Sequence, residues 1–281
     1  MNKNQNVSEL IDKAAAGDRE SLEALIGSIQ DMVFNLSLRM LGTFPDAEDA
    51  SQDILLKVMT HLSSFKKESS FSTWVFRIAT NHLINYKKHM FAGRPLDFEF
   101  YGNDIRCGMP GDLPDLTQDV DKELLAEELK MSCTNVMLQC LDMESRCIFI
   151  LGTMFKLDSH TAGAILNMTP EAYRQRLSRI RRKMAGFLTE YCGEYGSGTC
   201  HCASRINYAI KSRRLDPQAL DYTAAKEINP ETAVHFKNAM EDIDSLASHF
   251  TFCRMYESPE RTKQFFSSFL GSAALSFVKN A

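Results

Sequence analysis

No apolar run in the chain approaches the roughly 18 to 20 residues needed to span a bilayer, and the opening stretch, Met1 to Glu9, lacks the apolar segment of an export signal. A cytoplasmic protein without stable membrane insertion is expected. No Val-, Ile- and Thr-rich alternation bounded by hairpin turns occurs, which argues against a sheet. A glycine-rich ATP-binding loop, a His-Glu-x-x-His motif, a paired-carboxylate site and a nucleophile elbow are all missing, so no enzyme is expected. No internal repeat is found. Strong overall charge is lacking too: the net charge is only -4, an average that argues against a nucleic-acid partner until its patterning is read.

Helical periodicity is what the sequence has instead, and it predicts an all-α protein. At 281 residues the chain has room for two or three small domains. Ser8 can cap a helix through about Ala16, and Asp18 a second through about Leu41, with Gly17 and Gly42 as punctuation. Pro45 suits the first position of a third helix, whose first turn is crowded by Asp46, Glu48 and Asp49. There Ala47, Ala50, Ile54 and Val58 share one face, and Asp46, Asp49 and Asp53 a neighbouring stripe. Residues 63–70 read as a loop before an aromatic helix from Phe71. Periodicity lapses from Phe91 to about Asp119 among glycines, prolines and acidic residues, which predicts a flexible linker. Helices resume near Asp121 through Leu141, from Met143 to about Phe155, and onward to about Tyr191. The expected domains are residues 1–90, a linker over 91–120, residues 121–191, and a helical extension over 192–281. The extension contains a basic stretch, Ile206 to Arg214, and helix starts at Pro230 and at Ser258-Pro259.

Two stretches carry chemistry. In the first, Asp158 or Ser159 can cap a helix ending near Leu166, Asn167 tolerates a left-handed turn, and Thr169 caps a second helix with Pro170 at its first position. Small Ala162 and Gly163 permit close approach, while Ile165, Leu166, Met168, Tyr173 and Leu177 face inward. This is a helix-turn-helix pattern. Residues 170–183 hold five Arg and one Lys against one Glu. An ordinary helical hairpin with a solvated charged face shares the pattern. Outward Arg174, Gln175, Ser178, Arg179 and Arg182 favour DNA, because Arg and Gln read guanine and adenine edges in the major groove. In the second stretch, Phe65, Lys66, Lys67, Ser69, Ser70 and Phe71 precede Trp74, Phe76 and Ile78, with Asn81, Asn85, Lys87 and Lys88 after. Any one of these aromatics could be core, but together the residues form an aromatic, amide and cation surface suited to unpaired bases.

Pro45-Asp-Ala-Glu-Asp-Ala-Ser-Gln-Asp-Ile-Leu-Leu56, followed by Phe71-Ser-Thr-Trp-Val-Phe-Arg-Ile-Ala-Thr-Asn81, closely resembles conserved region two of bacterial extracytoplasmic-function sigma factors, and Asp158 to Lys183 resembles their region four. Order and spacing match across roughly residues 8 to 190. The resemblance implies a transcription initiation factor. Its acidic helix, through Asp46, Asp49, Gln52, Asp53 and Leu56, would dock on the clamp helices of the largest subunit of RNA polymerase, with a further contact at the polymerase flap. Phe65, Lys66, Lys67, Ser69, Phe71, Trp74, Arg77, Asn81, Asn85, Lys87 and Lys88 would open and hold the minus-10 element. Thr169, Glu171, Arg174, Gln175, Ser178, Arg179 and Arg182 would meet the minus-35 element as duplex, and an anti-sigma factor is a candidate partner. The acidic linker would thread toward the active site and RNA exit channel. The chain departs from the family in having Asn167 where a glycine is common, in Pro170 opening the recognition helix, and in about ninety residues after Tyr191 that minimal members lack.

Within that extension Cys192, Cys200, His201 and Cys202 lie in a glycine-bearing loop. The options are zinc or another thiophilic metal, packed cysteines, or a redox pair, with Cys253 or His249 able to complete a ligand set. No cofactor is required otherwise. Phe236, Met240, Ile243, Ala247 and Phe250 make one apolar helical stripe and Phe265, Phe266, Phe269 and Leu270 another. They would bury each other, pack on the preceding regions, or anchor a partner or membrane surface. The competing reading is a metal- or redox-sensing helix-turn-helix repressor that binds duplex without polymerase.

Overall fold

The computed structural model describes residues 3–87, 91–108, 113–228 and 254–271. Lys88, the helix start at Pro230, the stripe from Phe236 to Phe250, His249 and Cys253 lie outside them. Among the described residues the regular structure is helical throughout, with one isolated bridge between Cys192 and Cys200. No described helix is long and apolar enough to cross a membrane. The chain divides into two units: Met1–His89 with Ile165–Asn167 and Tyr256–Ala281, and Met90–Ala164 with Met168–Met255.

The first unit holds α1 (Lys3–Ala15), α2 (Arg19–Leu41), α3 (Phe44–Thr60), α4 (Phe71–Ile84) and a late helix, numbered below in chain order. Asp18 caps α2 by accepting from the Ser21 amide at 2.9 Å, and Gly42 ends it in the left-handed region at φ 91°. Every residue from Met32 to Leu41 is buried, so this half of α2 is surrounded rather than amphipathic. Ala47, Ala50, Ile54 and Val58 of α3 and Val75, Phe76, Ala79 and Leu83 of α4 close the core around it. Two helix starts differ from expectation. α1 begins at Lys3, so Ser8 sits inside it, and α3 begins at Phe44 because Thr43 supplies the cap, which leaves Pro45 in its first turn.

The second unit contains α5 (Phe98–Cys107), α6 (Lys122–Gln139), α7 (Met143–Phe149) with a wide π turn over Ile150–Met154, α8 (Ser159–Leu166) except its last two residues, α9 (Pro170–Tyr191) and α10 (Ile206–Lys211). α5 lies where the sequence predicts a flexible linker. Its Phe98 and Tyr101 rings pack on Phe187 of α9 at 5.2 and 5.5 Å between centroids. Gly102, which reads as a breaker, sits where an added Cβ would stand 2.5 Å from the Tyr191 ring. The extension is also built in. Glu128 of α6, buried, accepts from the backbone amides of Asp221, Tyr222 and Thr223 at 2.8 to 3.1 Å. Buried Asn135 donates to the Tyr222 hydroxyl at 2.6 Å. The last described helix, α11 (Glu260–Gly271), belongs to the first unit and packs on α2 and α3.

Candidate nucleic-acid interface

In the first unit, the acidic stripe on α3 is solvent-facing at Asp49 and Asp53, while Asp46, Gln52 and Leu56 are half-buried. Asp46 also accepts from the Thr43 hydroxyl at 2.7 Å, which ties it to the cap.

The aromatic segment splits. Phe76 is core, and Phe71 is nearly so. Phe65, Phe71 and Trp74 form one cluster, with Phe65 5.2 Å from Trp74 and 5.7 Å from Phe71. Trp74 and Ile78 stay half-exposed, because they point away from the α2 face that buries Val75 and Phe76. An open depression beside them is lined by Lys57, His61, Ser64, Trp74, Ile78, Asn81 and His82. Ser70 caps α4, accepting from the Thr73 amide at 3.1 Å, and so fixes how the loop enters the helix. Lys66, Ser69 and Lys87 lie on the surface or near it, and Arg77 is half-buried. Lys67 instead adopts left-handed backbone at φ 59° and reaches Asp12 at 2.6 Å and Ser8 at 3.0 Å, joining the loop to α1. Asn85 turns its amide back to the Asn81 carbonyl at 2.9 Å.

Lys57 and His82 did not enter the predicted nucleic-acid surface. Lys57 Nζ lies 2.6 Å from His82 Nδ1. Burial of the imidazole, and then the Lys57 cation, hold its pKa below the ordinary histidine value. The four-residue spacing of Trp74, Ile78 and His82 was the available signal.

In the second unit, Asp158 caps α8 by accepting from the His160 and Thr161 amides at 2.9 and 3.0 Å, and the Thr161 hydroxyl bonds hold its carboxyl below the usual range. Asn167 is left-handed at φ 55°, as the turn requires. Thr169 caps α9 through the Ala172 amide at 3.2 Å with Pro170 following. A Cβ on Gly163 would meet the Met168 carbonyl at 2.7 Å, so only glycine lets the chain turn this tightly. Tyr173 anchors α9 on α7, donating to the Ile148 carbonyl at 3.0 Å.

The cationic run then divides by role. Arg176 pairs with Glu144, Arg181 reaches the Gly152 carbonyl at 3.1 Å, and Lys183 lies 4.7 Å over the Phe98 ring. Glu171, Arg174, Gln175, Ser178, Arg179 and Arg182 are exposed, as is the cap residue Thr169. At about 100° per residue, the six from Glu171 to Arg182 occupy one arc of roughly 140°. Arg174 is braced by Ser159 at 2.9 Å. A helix N-terminal half presenting Arg, Gln and Ser from one arc is what a major groove accommodates.

The cysteine loop gives a different result. Cys192 and Cys200 are paired through backbone, with the Gly193 amide donating to the Cys200 carbonyl at 2.9 Å, and His201 faces Glu194 at 3.3 Å. Among the described residues no three His, Cys, Asp or Glu gather as a metal ion would need. Burial raises the pKa of Cys200 and Cys202, which favours protonated thiols.

The family model described as sigma-70 region 2 matches residues 25–89. The chain is 26% identical over 183 residues to the ECF RNA polymerase sigma factor SigW of Bacillus subtilis, across 63% of this chain and 94% of that protein. It is 24% identical over 177 residues to the RNA polymerase sigma-H factor of Pseudomonas aeruginosa, across 62% and 89%. A solved structure described as CnrH in complex with the cytosolic domain of CnrY aligns with TM-score 0.47 at 19% identity, over 64% of this chain and 94% of that one.

Proposed function

The chain belongs to the extracytoplasmic-function group of the sigma-70 family, and from that premise we propose how its two surfaces divide the work of transcription initiation. As a sigma factor it acts with RNA polymerase. Asp49 and Asp53, with Asp46, Gln52 and Leu56 beside them, form the polymerase-docking edge of α3. Trp74 and its neighbouring depression receive a non-template base from the minus-10 element, and Lys66, Asn81 and Lys87 hold the strand. The α9 arc of Arg174, Gln175, Ser178, Arg179 and Arg182 reads the minus-35 element as intact duplex.

One observation carries this reading. A half-exposed indole beside an open depression occurs in the segment matched as region 2, and the same chain has a separate capped helix with an exposed Arg and Gln arc. The energetics agree with it. Extruding a base costs a few kcal/mol, and stacking on an aromatic group returns roughly 1 to 3 kcal/mol. Melting therefore draws on binding energy shared with polymerase, and the reading asks for no bond-making chemistry. The anchoring of Tyr256 on α2 and of residues 221–223 on α6 supports a modulating role for the extension. An anti-sigma factor remains a proposed partner.

Run-off transcription with purified core polymerase and the full-length chain tests the proposal. Template-specific initiation that depends on the chain is expected. Tight duplex binding without core polymerase, together with no initiation, would establish the repressor reading instead.

A further inference from the structure

The second unit contains a cavity of about 340 Å³ that the promoter reading does not use. It lies among α5, α6 and the extension. Its apolar wall includes Tyr101 and Ile105 from α5, Leu129 and Val136 from α6, and Ala209 from α10. This volume is at the small end of the roughly 300 to 1,000 Å³ typical of small-molecule sites. The wall thiol of Cys133 accepts from the Tyr101 hydroxyl at 3.0 Å, and burial pushes its pKa up to about 12, so it adds no charge.

Charge at the rim is lopsided. Arg214 donates to both oxygens of Asp104, at 2.6 Å to Oδ1, and the Tyr208 hydroxyl donates to Oδ1 at 3.0 Å. Arg205 stands 3.5 Å from the same carboxylate and donates to the Ile105 carbonyl at 2.8 Å. Arg213 also lines the cavity, exposed on left-handed backbone at φ 57°, with no acidic partner among the described residues. Two guanidiniums, of Arg205 and Arg214, thus share one carboxylate, and a third, of Arg213, stands beside the same apolar chamber without one. Such a site favours a ligand with one anionic head and an apolar body, since charge-assisted bonds to guanidinium are the stronger ones and the body removes apolar wall from water.

We infer that this cavity binds an amphipathic organic monocarboxylate, its carboxylate at Arg213 and Arg214 and its apolar body against α5 and α6. The site joins α5, α6 and α10, so an occupying ligand stabilises their mutual packing. The inference is independent of the promoter reading.

Calorimetric titration of the full-length protein with octanoate and with phenylbutyrate tests it, the two arms separating an aliphatic from an aromatic body. Saturable binding of one equivalent is expected for at least one acid, at least tenfold tighter than for its neutral alcohol. Arg213→Glu, an exposed change outside the helices, should weaken binding at least tenfold. Ser132 of α6 also lines the chamber, and Ser132→Phe, which fills it, should do the same while circular dichroism stays unchanged. The inference is overturned if neither acid binds, if the alcohol binds as well as the acid, or if Arg213→Glu leaves affinity unchanged.

Discussion

Asn35 is fully buried in the most apolar stretch of α2, and its replacement by alanine gives the most direct test of how the extension is held. Its amide nitrogen donates to the Tyr256 carbonyl at 2.7 Å, and its oxygen accepts from the Tyr256 amide at 2.9 Å. It therefore completes both backbone bonds of a residue 221 positions away. Alanine would leave a buried donor and a buried acceptor without these partners, at about 1 to 3 kcal/mol each. The loss is capped, because Tyr256 can detach and rehydrate instead. A loss of about 3 kcal/mol is therefore expected in the docking of residues 256–271, on the order of a hundredfold in its opening constant. Hydrogen exchange read by mass spectrometry should show that rise in peptides covering α11, with little change in α6 or α9. Unchanged protection of α11, together with a melting curve indistinguishable from that of the parent chain, would refute the reasoning.

Trp74→Ala should impair promoter opening more than closed-complex formation, by roughly 1 to 3 kcal/mol of lost stacking. Permanganate footprinting against gel-shift binding checks this, and equal losses with a lowered melting temperature would return Trp74 to a packing role. Arg179→Ala should relax discrimination at the upstream element by about 1 to 3 kcal/mol, whereas Arg176→Ala, whose guanidinium is paired with Glu144, should leave promoter preference intact. Matched effects in a promoter-variant competition assay would count against the division of the α9 cations. His82, its pKa lowered by burial and Lys57, should remain neutral in the fold until pH falls below the ordinary value of 6.5. Its contribution to stability is complete above that value and is lost as pH falls from it toward the lower folded value. His82→Gln should flatten the melting-temperature profile in that window, and an unaltered profile would remove His82 as its cause.

Local signals were legible because their physics is local. The cap at Asp18, the turn at Asn167 and the cap and proline at Thr169-Pro170 involve bonds spanning three or four residues, and each forms where the residue types suggest. The linker misled because glycine has two uses. Gly102 and Gly108 read as helix breakers, yet each lies where an added Cβ would meet a tyrosine ring, of Tyr191 and of Tyr208. Nor could spacing separate the cations of α9. Arg176, Arg181 and Lys183 find partners on α7, the π turn and α5, which only the tertiary fold reveals. Lys67 is a similar case, drawn to Asp12 from across the loop.

The buried polar residues of the family-like helices carry a further consequence for the extension. Glu128 and Asn135 of α6 and Asn35 of α2 face the interior, where an unpaired polar group is costly, and each is satisfied by a residue between Asp221 and Tyr256. A helix evolved to stand without those partners would place apolar side chains at these positions or leave them in water. In this chain the extension is therefore part of the folded units, and cutting after Tyr191 would strand a buried carboxylate on α6 as well as remove a segment proposed to modulate initiation. Loss of transcription in such a truncation has two causes that the truncation cannot separate. Asn35→Ala separates them for the first unit, since it frees α11 while leaving Glu128 its acceptor role: raised transcription with α11 released would mark the segment as inhibitory, and lowered transcription would mark it as structural support for α2.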